Sequence, residues 1–87
     1  MGDVMRRDKQ EMQRISEVIR GNADNWPSAM VALKETRSFT GGAYSPRTVA
    51  NEISRGSGPE GVFKVGRATM IPKVSFTEWL LARAGRR

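Results

Sequence analysis

The chain has 87 residues and a mass of 9.7 kDa, which allows one small domain with a thin core. It contains no cysteine and no histidine, which excludes disulfides and thiolate zinc sites and removes the commonest general base of enzymes. We therefore expect no enzyme, no metal and no cofactor. The net charge is +6, and 11 of the 15 basic residues are arginine, which favours a phosphate-rich polyanion as partner.

The basic excess is confined to one part of the sequence. Residues 1–35 carry six bases and six acids, whereas residues 36–87 carry nine bases and three acids. Such asymmetry indicates a nucleic-acid surface on the second part. The longest apolar run, residues 29–33, is far too short for a membrane span, and the charged N-terminus does not resemble a signal peptide. The sequence thus predicts a cytoplasmic, nucleoid-associated protein with no membrane partner.

A helix is predicted over residues 3–20, because apolar side chains recur there at helical spacing: Met5, Met12, Ile15 and Ile19, with Val18 beside them. Gly21 is expected to end this helix. We predict that residues 1–21 form an N-terminal amphipathic helix, which either contacts another protomer or a partner, or covers the protein's own core. Residues 22–87 are expected to form the domain that follows it.

A second helix is predicted over residues 26–36, since Trp26, Met30 and Leu33 fall on one side of it. Residues 37–44 lack periodicity and contain two adjacent glycines, so a loop is expected there. A third helix is predicted to begin at Ser45-Pro46, a serine cap followed by proline at the first helical position, and to end at Gly56.

Two short β-prone runs, residues 62–65 and 68–71, flank Gly66-Arg67 and predict a hairpin that ends at Pro72. Ser75 and Glu78 have the spacing of a capping box, which predicts that the last helix begins at Ser75. Gly85 is expected to end it.

The third helix is the best candidate site. At helical spacing, Val49 and Ile53 share an apolar face, and the opposite face carries polar residues: Arg47, Thr48, Asn51 and Arg55. Asparagine reads adenine and arginine reads guanine in the major groove. Ser45 and the first helical N–H groups are candidates for a phosphate contact. The alternative is that this polar face is an ordinary solvated surface.

The hairpin supports the nucleic-acid interpretation, because it places two further bases, Lys64 and Arg67, next to that helix in sequence. A basic hairpin is suited to contact phosphates or the minor groove, although a merely polar turn is the alternative. Four other bases are candidate phosphate contacts: Arg37, Lys73, Arg86 and Arg87.

An ordered set of short motifs runs through this part of the chain: Ser45 to Val49, Ile53, Gly56, Phe63 to Arg67, Ile71-Pro72 and Glu78 to Leu80. The set resembles the excisionase and MerR-like family of winged helix-turn-helix proteins and covers residues 45–80. The resemblance implies that residues 22–87 form a winged-helix DNA-binding domain, mainly α with a small β-hairpin, in which the third helix reads DNA and the hairpin is the wing. It also implies a core of seven apolar residues: Val49, Ile53, Phe63, Val65, Ile71, Trp79 and Leu80.

The resemblance further implies a DNA-bending architectural factor that acts in recombination of a mobile element. Such a factor binds double-stranded DNA cooperatively with further copies of itself, beside an attachment site, and has a tyrosine-type integrase as candidate partner. A phage or plasmid transcription regulator and a winged-helix DNA-packaging subunit are alternatives within the same class. A small RNA-binding protein is the third alternative, but only Phe39 and Tyr44 remain as candidate exposed rings, too few for a stacking platform.

Overall fold

Four helices and three strands follow one another in a computed structural model of the chain, which describes residues 2–85 and the side chains of residues 9–85. The order is α1 (Gly2–Asp24), β1 (Met30–Ala32), a 3-10 turn (Leu33–Glu35), α2 (Thr36–Phe39), α3 (Pro46–Arg55), β2 (Phe63–Val65), β3 (Ala68–Pro72) and α4 (Lys73–Arg83). The protein is therefore mainly helical with a small antiparallel sheet.

The sheet has the strand order β1-β3-β2, with both neighbouring pairs antiparallel. Val31 lies opposite Ile71, and Lys64 lies opposite Thr69. Because side chains alternate between the two faces of a strand, Val31, Ile71, Lys64 and Thr69 share one face of the sheet. Val31 and Ile71 are fully buried, so this is the face that meets the helices.

The core brings every helix and two of the strands together: Ala23, Val31, Phe39, Val49, Ile71, Phe76 and Trp79. Aromatic rings dominate it. The Phe39 and Phe76 rings lie 4.9 Å apart, and the Trp26 ring meets Phe39 edge-on at 5.3 Å. Aromatic pairs of this geometry add stability beyond the area that they bury. One shared core thus fixes α3 relative to the sheet.

The helix predicted over residues 26–36 is wrong. Residues 30–32 form β1, which pairs with β3, and the chain becomes helical again only at Leu33. Burial there has the period of a strand, since Val31 is buried between an exposed Met30 and a partly exposed Ala32. The spacing of Trp26, Met30 and Leu33 fits a helix by coincidence, and pairing with β3 overrides it.

The predicted end of the first helix at Gly21 is also wrong, because α1 continues to Asp24. Gly21 has no positive φ, and the helix continues through it so that Ala23 can be buried. The boundary predicted at residue 21 therefore falls within α1, whose last turn joins the core. Met5, part of the predicted apolar stripe, lies outside the described side chains.

Three further predictions about the chain are corrected. Residues 37–39, predicted as the start of a loop, belong to the single turn α2, in which Thr36 is buried and its hydroxyl donates to the Leu33 carbonyl at 2.6 Å. The prediction that a capping box starts the last helix at Ser75 is wrong. α4 begins at Lys73, and the Ser75 hydroxyl donates to the Glu60 carbonyl at 2.6 Å. The helix also ends before Gly85, at Arg83.

The third helix and the hairpin are confirmed as elements, with bounds within a residue of those predicted. Of the core implied by the resemblance, Val49, Ile71 and Trp79 are buried, and Ile53 and Leu80 pack against them. The assignment of Phe63 and Val65 to this core is wrong, because the two residues are 41% and 54% exposed. Within residues 2–85, no helix combines the length and apolarity needed to cross a bilayer.

Candidate nucleic-acid interface

Local hydrogen bonds define both ends of α3. The Ser45 hydroxyl accepts from the Thr48 backbone N–H at 3.1 Å, and Pro46 occupies the first turn, where a missing N–H is not needed. Gly56 ends the helix with a φ of 81°, a left-handed conformation that favours glycine. The Ser45 hydroxyl is thus engaged as a helix cap, in contact also with the Thr48 hydroxyl at 2.9 Å.

The face of α3 predicted to read DNA points to solvent. Arg47, Thr48, Asn51 and Arg55 are all exposed, and Val49 on the opposite side is fully buried. Among the described residues, the side chains of Arg47 and Asn51 make no hydrogen bond or ion pair, so their donors are available to a ligand. Arg55 is exposed too, but its guanidinium donates to the Glu52 carboxylate at 3.2 Å.

The hairpin presents its two bases differently. Gly66 and Arg67 form the turn, where Gly66 has a φ of 60° that glycine adopts at little cost. Arg67 is exposed at this tip. Lys64 is exposed on β2, on the same sheet face as Thr69 and therefore on the side where the helices pack.

A shallow groove joins the tip of the hairpin to the beginning of α3. It is lined by Pro46 from α3, by Arg67, Ala68 and Thr69 from the hairpin, and by Ala32, Leu33 and Lys34 after β1. The structure thus places Arg67 beside Pro46, in the first turn of α3. Arg67 is the one predicted wing or recognition-helix residue that lines this groove, and the exposed face of α3 begins next to Pro46, at Arg47.

Lys34 also lines this groove, and it is not among the residues predicted to contact DNA. It belongs to the electrically neutral first 35 residues, and its exposed side chain lines the groove with Arg67. It reaches this place because β1 pairs with β3, which leads back from the hairpin tip. No local signal in the sequence indicates that pairing.

Glu52 organises the C-terminal end of α3. Its carboxylate accepts from the Ser57 hydroxyl at 2.6 Å, from Arg83 of α4 at 3.0 Å and from Arg55 at 3.2 Å. The hydrogen bond from Ser57, followed by the charges of Arg83 and Arg55, holds the pKa of Glu52 below its ordinary value. This cluster ties α3 to α4 and leaves the first turns of α3 free.

The other predicted phosphate contacts do not gather at the groove. Lys73 lies at the end of β3 remote from Arg67, where it lines a second groove with Arg20, Asp24 and Glu78. Arg37 is exposed on α2. Arg86 and Arg87 lie outside the described residues.

The aromatic rings show no stacking platform for RNA bases. Phe39, a candidate exposed ring in the sequence analysis, is buried, which corrects that expectation. Tyr44 is half-buried and packs on Trp79 with ring centres 5.0 Å apart. Phe63 is the one exposed aromatic among the described residues, and it lies on the sheet face turned away from α3.

Comparison with known proteins adds no identification. No protein-family model, no curated protein and no solved structure matches the chain.

Proposed function

We propose that the protein binds double-stranded DNA as a winged helix-turn-helix domain, in which α2 and α3 are the two helices and the β2–β3 hairpin is the wing. The observation that carries the proposal is the groove in which Arg67 of the hairpin tip and Lys34 lie beside the first turn of α3, whose exposed face bears Arg47 and Asn51. The groove brings bases from two distant parts of the chain next to α3, an arrangement suited to contact the phosphates of a duplex.

Each residue of the surface has a role that follows from its chemistry. Arg47 and Asn51, one helical turn apart and free of internal bonds, would read base edges in the major groove. Arg67, Lys64 and Lys34 would contact phosphates on either side of that groove, fixing the register of the helix without reading sequence. Arg55 would reach the backbone from the end of α3 while Glu52 orients it.

Within this class we propose an architectural, excisionase-like factor that bends DNA near an attachment site, with further copies of itself and a tyrosine-type integrase as partners. Bending would be favoured because it lets the wing and α3 reach phosphates together. Such a protein would act on the nucleoid in the cytoplasm. A small transcription regulator or a packaging subunit would use the same surface, and a DNA footprint beside an attachment site separates these roles.

The test of DNA recognition compares binding of the protein to its selected duplex and to a scrambled duplex of equal length. Binding-site selection from a random library supplies the first duplex. Replacement of Asn51 or Arg47 with alanine is expected to reduce discrimination between the two duplexes by about 1–3 kcal/mol. The measurement is a fluorescence-anisotropy titration at constant salt.

Gln13→Ala is the matched control, because Gln13 is an exposed amide residue on α1, outside the proposed DNA surface. It is expected to leave discrimination unchanged, since α1 contributes no residue to that surface. If Asn51→Ala and Arg47→Ala weakened both duplexes equally, α3 would not be the reading helix. Tighter binding to single-stranded RNA than to any duplex would contradict the whole proposal.

A further inference from the structure

The exposed face of α3 consists of two rows of polar side chains. Arg47, Asn51 and Ser54, here called the central row, are all exposed, and at 100° per residue they fall within an arc of about 60° around the helix. They are spaced at four and three residues, so they follow one another along the helix axis. Thr48 and Arg55 form a second row beside them, about 80–100° from Arg47.

Bonds within the protein hold the second row in place and leave the central row free. The Thr48 hydroxyl lies 2.9 Å from that of Ser45, and the Arg55 guanidinium donates to the Glu52 carboxylate at 3.2 Å. Within the part of the chain that the structure describes, the side chains of the central row form no hydrogen bond or ion pair. Their polar atoms are therefore available to a ligand.

Basic residues flank the central row on both sides. On one side, about 100° from Arg47, lies Pro46, which lines a groove with Lys34 and Arg67. On the other side, about 80° from Arg47, lies Arg55. A helix in the major groove of a duplex has base edges in front of it and a phosphate strand on either side. The positions of these bases fit a helix whose central row is directed at the base edges.

The length of the central row corresponds to about three base pairs. A helix rises about 1.5 Å per residue, so Asn51 lies about 6 Å and Ser54 about 10.5 Å beyond Arg47 along the axis. Base pairs of a duplex follow one another at about 3.4 Å. Arginine pairs with O6 and N7 of guanine, asparagine pairs with N6 and N7 of adenine, and a serine hydroxyl makes a single bond to either kind of base pair.

We propose that α3 reads a duplex site in which a guanine and an adenine lie one or two base pairs apart, the guanine bound by Arg47 and the adenine by Asn51. Ser54, which is not among the residues predicted to contact DNA, contacts the base pair that follows the adenine. Thr48 and Arg55 do not read bases, because their side chains are held by bonds within the protein. This inference rests on the proposed DNA binding and adds which bases are read and by which residues.

The test selects the preferred site of the full chain from a random duplex library and then alters single atoms of that site. Replacing the guanine by 7-deazaguanine, or the adenine by 7-deazaadenine, removes only the N7 acceptor in the major groove. Each change is expected to weaken wild-type binding by about 3- to 10-fold in a fluorescence-anisotropy titration at constant salt. Inosine in place of the guanine is the matched control, because it lacks only the N2 amino group in the minor groove, and it should leave binding unchanged.

Variants of the central row assign each base to its residue. Arg47→Ala should abolish the effect of 7-deazaguanine and keep that of 7-deazaadenine, and Asn51→Ala should do the reverse. Ser54→Ala should keep both effects and lose about 2- to 10-fold of the preference at the base pair after the adenine. All three positions are exposed, and circular dichroism confirms that each variant is folded. Gln13→Ala, at an exposed position of α1, should match the wild type on every duplex.

The outcomes separate this inference from the proposed DNA binding. A selected site without a guanine and an adenine one or two base pairs apart would overturn the inference and leave duplex binding intact. The same holds if both analogue effects vanish together in one variant, if inosine weakens binding as much as 7-deazaguanine, or if Ser54→Ala keeps the full preference. Failure of the wild type to bind any duplex would overturn both.

Discussion

The indole N–H of Trp79 donates a hydrogen bond to the backbone carbonyl of Ser57 across 2.8 Å. This bond joins α4 to the chain that leaves the C-terminal end of α3. Arg83 reinforces it, since its guanidinium donates to the same carbonyl at 3.1 Å and lies 4.3 Å from the centre of the Trp79 ring. The orientation of α3, and with it the exposed face that carries Arg47 and Asn51, is therefore set from α4.

Trp79→Phe is expected to destabilise the protein by about 1–2 kcal/mol, because a partly buried hydrogen bond is lost and the Ser57 carbonyl keeps only Arg83. Urea denaturation measures the change. Trp26→Phe is the matched control: its indole donates to the Met30 carbonyl at 3.0 Å, but near solvent, where water replaces the lost donor. Equal losses for the two variants would contradict the role given to the Trp79 bond.

Glu52→Gln is expected to destabilise the protein at neutral pH and to cost progressively less as the solution becomes acidic. The folded-state pKa of Glu52 is lowered, chiefly by the Ser57 hydroxyl, so the carboxylate stabilises the fold above its unfolded pKa. That contribution is lost as the pH falls below about 4.3, the ordinary glutamate value, and through the lowered one.

The measurement for Glu52 is the difference in unfolding free energy between wild type and variant from pH 7 to pH 3. Glu60→Gln serves as the control, because among the described residues its exposed carboxylate forms no ion pair. Its effect should stay within about 0.5 kcal/mol. A Glu52→Gln difference that does not change with pH would show that the charge of Glu52 is not the source of its effect.

Gly21→Ala is expected to stabilise the protein by about 0.5–1 kcal/mol, since Gly21 lies inside α1 with open space around its Cα. Gly58→Ala is expected to destabilise the protein, because the added Cβ would lie 2.6 Å from Cγ1 and 2.9 Å from Cα of Ile53. Thermal unfolding followed by circular dichroism measures both. A destabilising Gly21→Ala would mean that α1 ends at Gly21.

Arg67→Ala and Lys34→Ala are each expected to reduce the slope of log K against log salt by about 0.9 for duplex DNA, the value for one lost phosphate contact. The affinity for cognate and scrambled duplexes should fall alike. Lys73→Ala is the control, because Lys73 lies at the far end of β3. An unchanged slope for Arg67→Ala would show that the hairpin tip contacts no phosphate. Equal slopes for all three variants would show that Arg67 and Lys34 in the groove contribute no more to phosphate binding than Lys73 does.

The features that depend on neighbouring residues could be predicted from the sequence. The Ser45-Pro46 cap and the Gly66-Arg67 turn were both predicted, and both are held by contacts within a few residues. The helix prediction between Trp26 and Thr36 is wrong, because the apolar spacing there fits a helix but residues 30–32 form β1. The capping box predicted at Ser75 is wrong for a similar reason, because the Ser75 hydroxyl donates to the backbone carbonyl of Glu60, which is remote from it in sequence.

The sequence by itself determined the charge asymmetry, the α3 face and the hairpin, because helix caps, turns and periodicity act over a few residues. Only the tertiary structure decided that β1 completes the sheet, that Lys34 joins Arg67 at the groove, and that Phe63 and Val65 face solvent. The first two depend on the pairing of β1 with β3, which is remote in sequence, and the third depends on which face of the sheet the helices cover. The β1–β3 pairing is stabilised by burial of Val31 against Ile71, and no local pattern indicates it.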